Sequence, residues 1–318
     1  MRHRWLVALA MVLAGVLQAS SQNWPSKPVR IIVPVTAGSA TDVTARVIAD
    51  HLTQQIGQPV VVENRTGAGG TTGMGYVAKS VEPDGYTILV HSAAFVIQPA
   101  TFPNLGYDSG KDFAGVTLLG NAPLVMIASP TKYKTLKDLV TWSKANPAAS
   151  NYGSASPTFT LAAELFKLRT GASMQRVSYR GSNDAVVAVL SNQVTTAFTD
   201  TLPAIPLLKD GKLRALAVTS PARLPELPDV PTMTEAGITG AEAVFWTGLF
   251  VPKGTPKDIL QRLETEVRAA MQDPEVRQRL RALATDATSS TPAEFTERIT
   301  ADLKAWGAVA KAANVTVE

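Results

Sequence analysis

The chain has 318 residues, 45% apolar and 18% charged, with a formal charge of +4 and no cysteine. That composition describes a globular protein long enough for two domains, and it excludes a disulfide framework, a thiolate metal site, a cysteine nucleophile and a lipid-modified cysteine. The mild positive charge comes without a basic run or basic–aromatic stripe, which argues against nucleic acid as a partner and suits small anionic ligands.

Residues 1–21 read as a signal peptide. Arg2 and Arg4 precede an apolar run from Trp5 to Leu17, and Ala19, Ser20 and Ser21 follow. The run is short for a membrane span. The expected product is a free protein outside the cytoplasm, cleaved after Ala19 or Ser21; a retained anchor is the alternative. Losing Arg2 and Arg4 lowers the formal charge from +4 to +2.

Val29–Val33 is an apolar, β-branched strand. The chain then reads Pro-Val-Thr-Ala-Gly-Ser-Ala-Thr-Asp over residues 34–42 and enters a helix over 41–57, with Val43, Val47, Ile48 and Leu52 on one face. Strand, turn and helix N-terminus together make an anion seat, because the first N–H groups of a helix lack internal partners and its dipole favours negative charge there. Ser39 and Asp42 also have capping-box spacing, so a plain N-cap is the alternative. Residues 59–63 form a second strand, 64–70 a glycine-rich loop, 71–81 a second helix and 86–91 a third strand. This βαβαβ order predicts parallel pairing with right-handed crossovers.

Residues 118–127 are a long apolar stretch interrupted near 121–123. Helices are predicted over 135–146, 161–170, 184–191 and 204–211, and strands over 151–154, 175–179, 194–199 and 213–219. A polar loop is predicted over 154–160 and an extended, proline-rich one over 224–231. Residues 243–251 form a strand. Helices follow to about 272, from 274 to 283 and from 291 to about 312, with strong starts at Thr255-Pro256 and Thr291-Pro292. The order implies two α/β lobes, each a mostly parallel sheet flanked by helices. The first comprises residues 22–120 and 243–318, the second 121–242. Strands at 124–127 and 244–251 are expected to cross between lobes as a hinge, with ligand held beyond the strand ends.

Several ordered motifs then coincide. They include Trp24-Pro25-x-Lys27-Pro28-x-Arg30, Pro34…Gly38…Asp42, Gly57-Gln58-Pro59-Val60-Val61-Val62-Glu63-Asn64-Arg65 and Gly67-Ala68-Gly69-Gly70. Pro83-Asp84-Gly85-Tyr86-Thr87, Tyr107-Asp108…Asp112-Phe113, Tyr152-Gly153-Ser154 and Tyr179-Arg180-Gly181 follow. Later come Gly211-Lys212-Leu213-Arg214-Ala215-Leu216-Ala217, Leu227-Pro228-Asp229-Val230-Pro231-Thr232…Glu235-Ala236-Gly237, Trp246-x-Gly248 and Gly254-Thr255-Pro256. In these the chain resembles the Bug, or TctC-type, periplasmic substrate-binding proteins of tripartite tricarboxylate transporters, over nearly all of residues 24–318. The resemblance implies a two-lobe Venus-flytrap fold, a small carboxylate held between strand–helix loops of both lobes, and inner-membrane transporter subunits as partners. It implies a periplasmic, monomeric protein with no cofactor.

The resemblance places Thr36, Ala37, Gly38, Ser39 and Asp42 in the first ligand loop, where Ala37 stands for a usual proline and Ser39 for a usual glycine. Ser154, Ser156, Thr158 and Phe159 fall in the second-lobe loop, which lacks the family's glycines and histidine. Phe159 either shapes the pocket for something planar or packs the helix core. Gly70, Thr71 and Ser92 are ligand donors or caps. Arg180, with Gly181 beside it, replaces a common lysine and either pairs with a distal carboxylate or is a solvated rim charge. Asp200 ends a strand at the cleft and either accepts from the ligand or fixes a loop. Trp246 floors the pocket or packs the hinge.

An enzyme is the rival class. The chain lacks a Gly-x-Ser-x-Gly elbow, a phosphate-binding Gly-x-x-x-x-Gly-Lys-Ser/Thr loop and metal-ligand spacing. Gly73-x-Gly75-x-x-Ala78 lies inside a helix rather than at a strand–helix turn, so it is no dinucleotide fingerprint. A binding protein without chemistry or metal is expected, taking a dicarboxylate, with an aromatic one such as terephthalate suggested by Phe159. A ligand-sensing module for a signalling partner remains the alternative, and a hydrolase the remote one.

Overall fold

Apolar β-branched runs alternating with amphipathic segments can bury their faces only as sheets covered by helices. The computed structural model describes residues 24–283 and 285–316, and the expected signal segment lies outside them. The chain runs β1 (Val29–Val33), α1 (Ala40–Ile56), β2 (Val60–Asn64), α2 (Thr71–Ser80), β3 (Thr87–Ser92), α3 (Ala94–Thr101), β4 (Phe113–Pro123) and β5 (Val125–Ala128). It continues as α4 (Leu136–Ala145), β6 (Asn151–Ser154), α5 (Pro157–Thr170), β7 (Gln175–Ser178), α6 (Ser182–Leu190), β8 (Thr196–Thr199), α7 (Ile205–Lys209) and β9 (Arg214–Val218). The last elements are β10 (Val244–Pro252), α8 (Lys257–Gln272), α9 (Pro274–Arg281) and α10 (Pro292–Ala313).

Two five-stranded sheets result, ordered β2-β1-β3-β10-β4 and β7-β6-β8-β5-β9. In the first, β1 pairs in parallel with β2 and β3, while β10 runs antiparallel to β3 and β4. The second repeats the plan: β6 is parallel to β7 and β8, and β5 is antiparallel to β8 and β9. Each sheet is therefore mixed. Its parallel part is built from strand–helix–strand units, and a strand arriving from the other sheet is inserted antiparallel. In β1 four of five residues are buried, because helices cover both faces. Ile31 and Val33 pack with Ile48 and Leu52 of α1 and Val267 of α8, whereas Ile32 packs with Met74, Phe95 and Phe250.

Three elements differ from expectation. Residues 94–101 form a helix that the sequence conceals: Ala94, Phe95, Val96, Ile97 and Gln98 are all buried, so no amphipathic period shows, and Pro99 reads as a breaker. The polar loop over 154–160 becomes a helix at Pro157, capped by Ser156, whose hydroxyl accepts from the Phe159 N–H at 3.3 Å. The crossings are points rather than strands. The apolar stretch over 118–127 ends one sheet at Pro123 and begins the other at Val125, and β10 lies wholly in the first sheet.

Thr219 ties the two crossings together. Its hydroxyl accepts from the Leu124 N–H at 2.8 Å, its N–H donates to the Leu124 carbonyl at 2.9 Å, and its own carbonyl accepts from Ala243 at 2.9 Å. All of this is buried. The isosteric change Thr219→Val leaves the Leu124 N–H without its acceptor and is expected to cost about 1–3 kcal/mol, read as a lower urea midpoint. An unchanged midpoint would show that this hydrogen bond does not hold the crossings.

Candidate functional site

Six strand–helix junctions converge on one cavity of about 590 Å³, a size typical of small-molecule sites. Three come from the first sheet (β1 to α1, β2 to α2, β3 to α3) and three from the second (β6 to α5, β7 to α6, β8 to α7). The charged side chains lining it are Arg180 and Asp200.

At the first junction Gly38 adopts φ +80°, which an L side chain resists, and the chain turns there into α1. Ser39 caps that helix, its hydroxyl accepting from the Asp42 N–H at 3.3 Å. The Asp42 carboxylate folds back instead of facing the cavity. It accepts from the Gly38 N–H at 2.8 Å, from Arg46 at 3.1 Å through both Nε and Nη2, and from Asn64 Nδ2 at 2.8 Å. Burial alone would raise its pKa; the bonds from Arg46, Gly38 and Asn64 outweigh burial and hold it below the usual carboxylate range. Asp42 braces the turn.

The second junction is backbone. Gly67, Ala68, Gly69 and Gly70 all have positive φ, and α2 starts at Gly70 with no side-chain cap. Beneath it Gln98 Nε2 donates to the Gly69 carbonyl at 2.9 Å, and Tyr107 donates to Gln98 Oε1 at 2.7 Å. His91 Nε2 lies 3.3 Å from Gln98 Nε2. Burial depresses the His91 pKa to about 3, so the ring is neutral and holds the loop from below.

The second sheet supplies the facing wall. Ser156, Thr158 and Phe159 line the cavity from the start of α5, and Tyr179, Arg180, Gly181 and Ser182 from the start of α6, which again has no side-chain cap. The two bodies meet closely: a methyl built on Gly181 would stand 3.1 Å from Thr36 Oγ1. Asp200 follows β8. Ser182 Oγ donates to its Oδ2 at 2.8 Å, while Oδ1 is buried without a hydrogen-bond partner. Burial pushes the Asp200 pKa up to about 6, partly opposed by Ser182 and by the Ala40 N–H facing it from α1. Phe245 and Trp246 close the floor. Trp246 Nε1 donates to Asp302 at 2.6 Å, and Phe245 stacks on Trp306 with centroids 5.3 Å apart.

Among the residues proposed from sequence, Thr36, Ser39, Gly70, Ser92, Ser156, Thr158, Phe159, Arg180, Gly181, Asp200 and Trp246 line this cavity. Ala37, Gly38, Asp42, Thr71 and Ser154 do not. Gly38 and Asp42 are bonded to each other, Thr71 Oγ1 donates to the Ala68 carbonyl, and Ser154 Oγ donates to the Ser156 carbonyl while accepting from Thr160 Oγ1. Sequence reasoning passed over Thr66, Gly67, Ala68 and Gly69, although the glycine run was their signal, and over Ser182, whose helix was placed two residues late. Phe245 and Trp246 both line the cavity although neighbours on a strand ordinarily face opposite ways. No local pattern announces that.

Comparison with known proteins bears on this geometry. Residues 44–315 match the profile of the tripartite tricarboxylate transporter family receptor. Protein BugT of Bordetella pertussis is 35% identical over 316 residues, covering 96% of this chain and 95% of that one. The structure of R. palustris Rpa4515 with adipate superposes with a TM-score of 0.88 at 31% identity, covering 92% of this chain and 99% of that one. MatC (Rpa3494) from Rhodopseudomonas palustris with bound malate superposes with a TM-score of 0.84 at 30% identity, covering 90% and 99%.

Proposed function

This chain belongs to the tripartite tricarboxylate transporter receptor family, and from that premise we propose that it is a periplasmic solute-binding protein that captures a small organic dicarboxylate without transforming it. One lobe would comprise residues 22–120 and 243–318, the other 121–242, closing about the crossings at Leu124 and Ala243. The closed form would be presented to inner-membrane transporter subunits. The observation that supports this most is the pair of uncapped helix starts, at Gly70 and Gly181, that face one cavity from opposite sides. The dipole ends of both helices attract carboxylate oxygens; at α6 the first N–H groups are open to them, whereas at α2 those of Gly70 and Thr72 donate to the Gly67 carbonyl and that of Thr71 to the Ala68 carbonyl. Ligand contacts made to both walls at once would supply the free energy of closure.

Two carboxylates rather than one are favoured by Arg180, the lining cation, which lies at the exposed mouth where a distal carboxylate would emerge. Adipate and malate, bound by the two neighbours, are both dicarboxylates. Phe159 on one wall with Phe245 and Trp246 on the floor gives flat apolar surface, which keeps an aromatic dicarboxylate such as terephthalate in the proposal.

Thermal-shift and titration screens of residues 22–318 against mono-, di- and tricarboxylates test this. A ligand at 100 times its Kd adds about 2.7 kcal/mol. Arg180→Gln should weaken dicarboxylates about tenfold, the low end for a charge-assisted contact at an exposed site, and leave monocarboxylates unchanged. No shift with any carboxylate from a folded, ligand-free sample would overturn the proposal.

A further inference from the structure

The cavity that favours an anion also holds a buried carboxyl group. Asp200 is 7% exposed, lines the cavity and leaves Oδ1 unpartnered, while Oδ2 is committed to Ser182. An unpartnered buried oxygen is costly unless something placed in the cavity answers it. The elements packed against Asp200 offer it the Ser182 hydroxyl and the Ala40 N–H at the start of α1 and, among the described residues, no cation. Arg180 and Asp184 stand at the start of α6, Asp42 and Arg46 on α1, and Arg279 and Arg281 on α9, next to the Leu283 carbonyl that accepts from Thr201. Arg46 is bound to Asp42 and Arg279 to Asp50, and among the described residues no cation forms an ion pair with Asp200.

A carboxylate entering the cavity therefore meets helix starts that favour its charge and a second carboxyl that opposes it. Two carboxylates in contact cannot both remain ionised; one takes a proton. Resting on the dicarboxylate reading above, we propose that Asp200 holds that proton: its carboxyl donates to a ligand carboxylate, and binding takes up one proton from solvent. Burial already raises the Asp200 pKa to about 6, whereas simple dicarboxylates ionise at lower pH, so the protein is the better proton holder. The sign follows from linkage. The bound state holds the proton more tightly than the free one, so affinity is full below the free-state pKa and falls as pH rises through and above it. A site using ionised Asp200 to accept from a ligand ammonium or hydroxyl would show the opposite slope.

The test is isothermal titration with adipate, malate and terephthalate between about pH 6 and pH 8.5. Kd should rise about tenfold per pH unit, with heats that depend on buffer ionisation because a proton is taken up. Asp200→Asn, whose amide donates at any pH, should bind with little pH dependence and more tightly than the parent at the alkaline end. A parent Kd that is flat or falls with pH would overturn the proposal, as would loss of binding by a folded Asp200→Asn protein at every pH. If none of the three probes binds, the dicarboxylate reading fails separately. Carbon-13 NMR titration of the ligand-free chain still decides the Asp200 part: the carboxyl resonance missing from Asp200→Asn should titrate near pH 6, and one titrating near the ordinary 3.8 would overturn it.

Discussion

Replacing Gly248 with alanine is expected to destabilise this protein by about 3 kcal/mol, at the upper end of what overpacking costs, although it adds one methyl group. Gly248 lies on β10, and a Cβ there would stand 2.2 Å from Phe295 Cζ and 2.8 Å from its Cε1. Gly115 on β4 presents the same ring with a second bare position, 2.8 Å from Phe295 Cδ1. The α10 side chain thus lies flat on a platform of two glycines. It has no room to retreat, because Trp246 meets it edge-on at 5.3 Å and Phe250 at 5.1 Å, all fully buried. Calorimetry should show a fall in Tm of about 5 °C. Because Trp246 lines the cavity, ligand affinity should fall as well. Combining Gly248→Ala with Phe295→Leu should cost less than the sum of the two single changes, as expected for residues in direct contact. Strict additivity would mean that the ring and the strand do not press on each other.

Asp42→Ala is expected to remove about 2–4 kcal/mol and to abolish binding of any anionic ligand, although Asp42 does not line the cavity. The Asp42 side chain is 2% exposed and gathers Gly38, Arg46 and Asn64 around one carboxylate. Without it the Gly38 N–H loses its acceptor, the Asn64 amide keeps only the Val35 carbonyl, and the turn that presents Thr36 and Ser39 is no longer held. Arg46 is half exposed and regains water, which keeps the loss below that of a fully buried pair. The pH dependence has a definite sign. The folded pKa lies below the ordinary 3.8, so this contribution is fully present above that value and disappears as pH falls through the lower folded one. Urea midpoints of parent and variant should therefore differ by a constant amount at neutral pH and converge only in acid. A variant that binds normally would show that the turn holds its shape without the brace.

Much of this was legible in the amino-acid order because its signals are local. The β-branched run of Val29–Val33, the helix starts at Thr255-Pro256 and Thr291-Pro292, and the glycines at 57 and 67–70 each act within a few residues, so strand, helix and turn could be read directly. Spacing also brought the strand–helix loops to one side of each sheet, and eleven of the sixteen proposed ligand residues line the cavity. Local reading could not say which member of a loop faces inward. Gly38, Asp42 and Ser154 carry the right chemistry, yet Gly38 and Ser154 bond within their own loops and Asp42 turns back to Gly38, Arg46 and Asn64. Helix α3 stayed hidden because its first five residues are all buried, so the polar stripe that reveals a surface helix never arises.

The sequence by itself determined the alternation of strands and helices, the packing of the terminal helices against the first sheet and the membership of a receptor family. Each of these rests on short-range periodicity or on ordered motifs. Only the tertiary structure decided that both sheets insert an antiparallel strand, that Thr219 ties the crossings, and that Asp200 keeps one oxygen unpartnered opposite the N-terminus of α1. Those facts depend on groups far apart in the chain. Residues 40 and 200 meet only after both sheets have formed, and the strength of a buried charge is set by the dielectric and the partners that such a meeting creates.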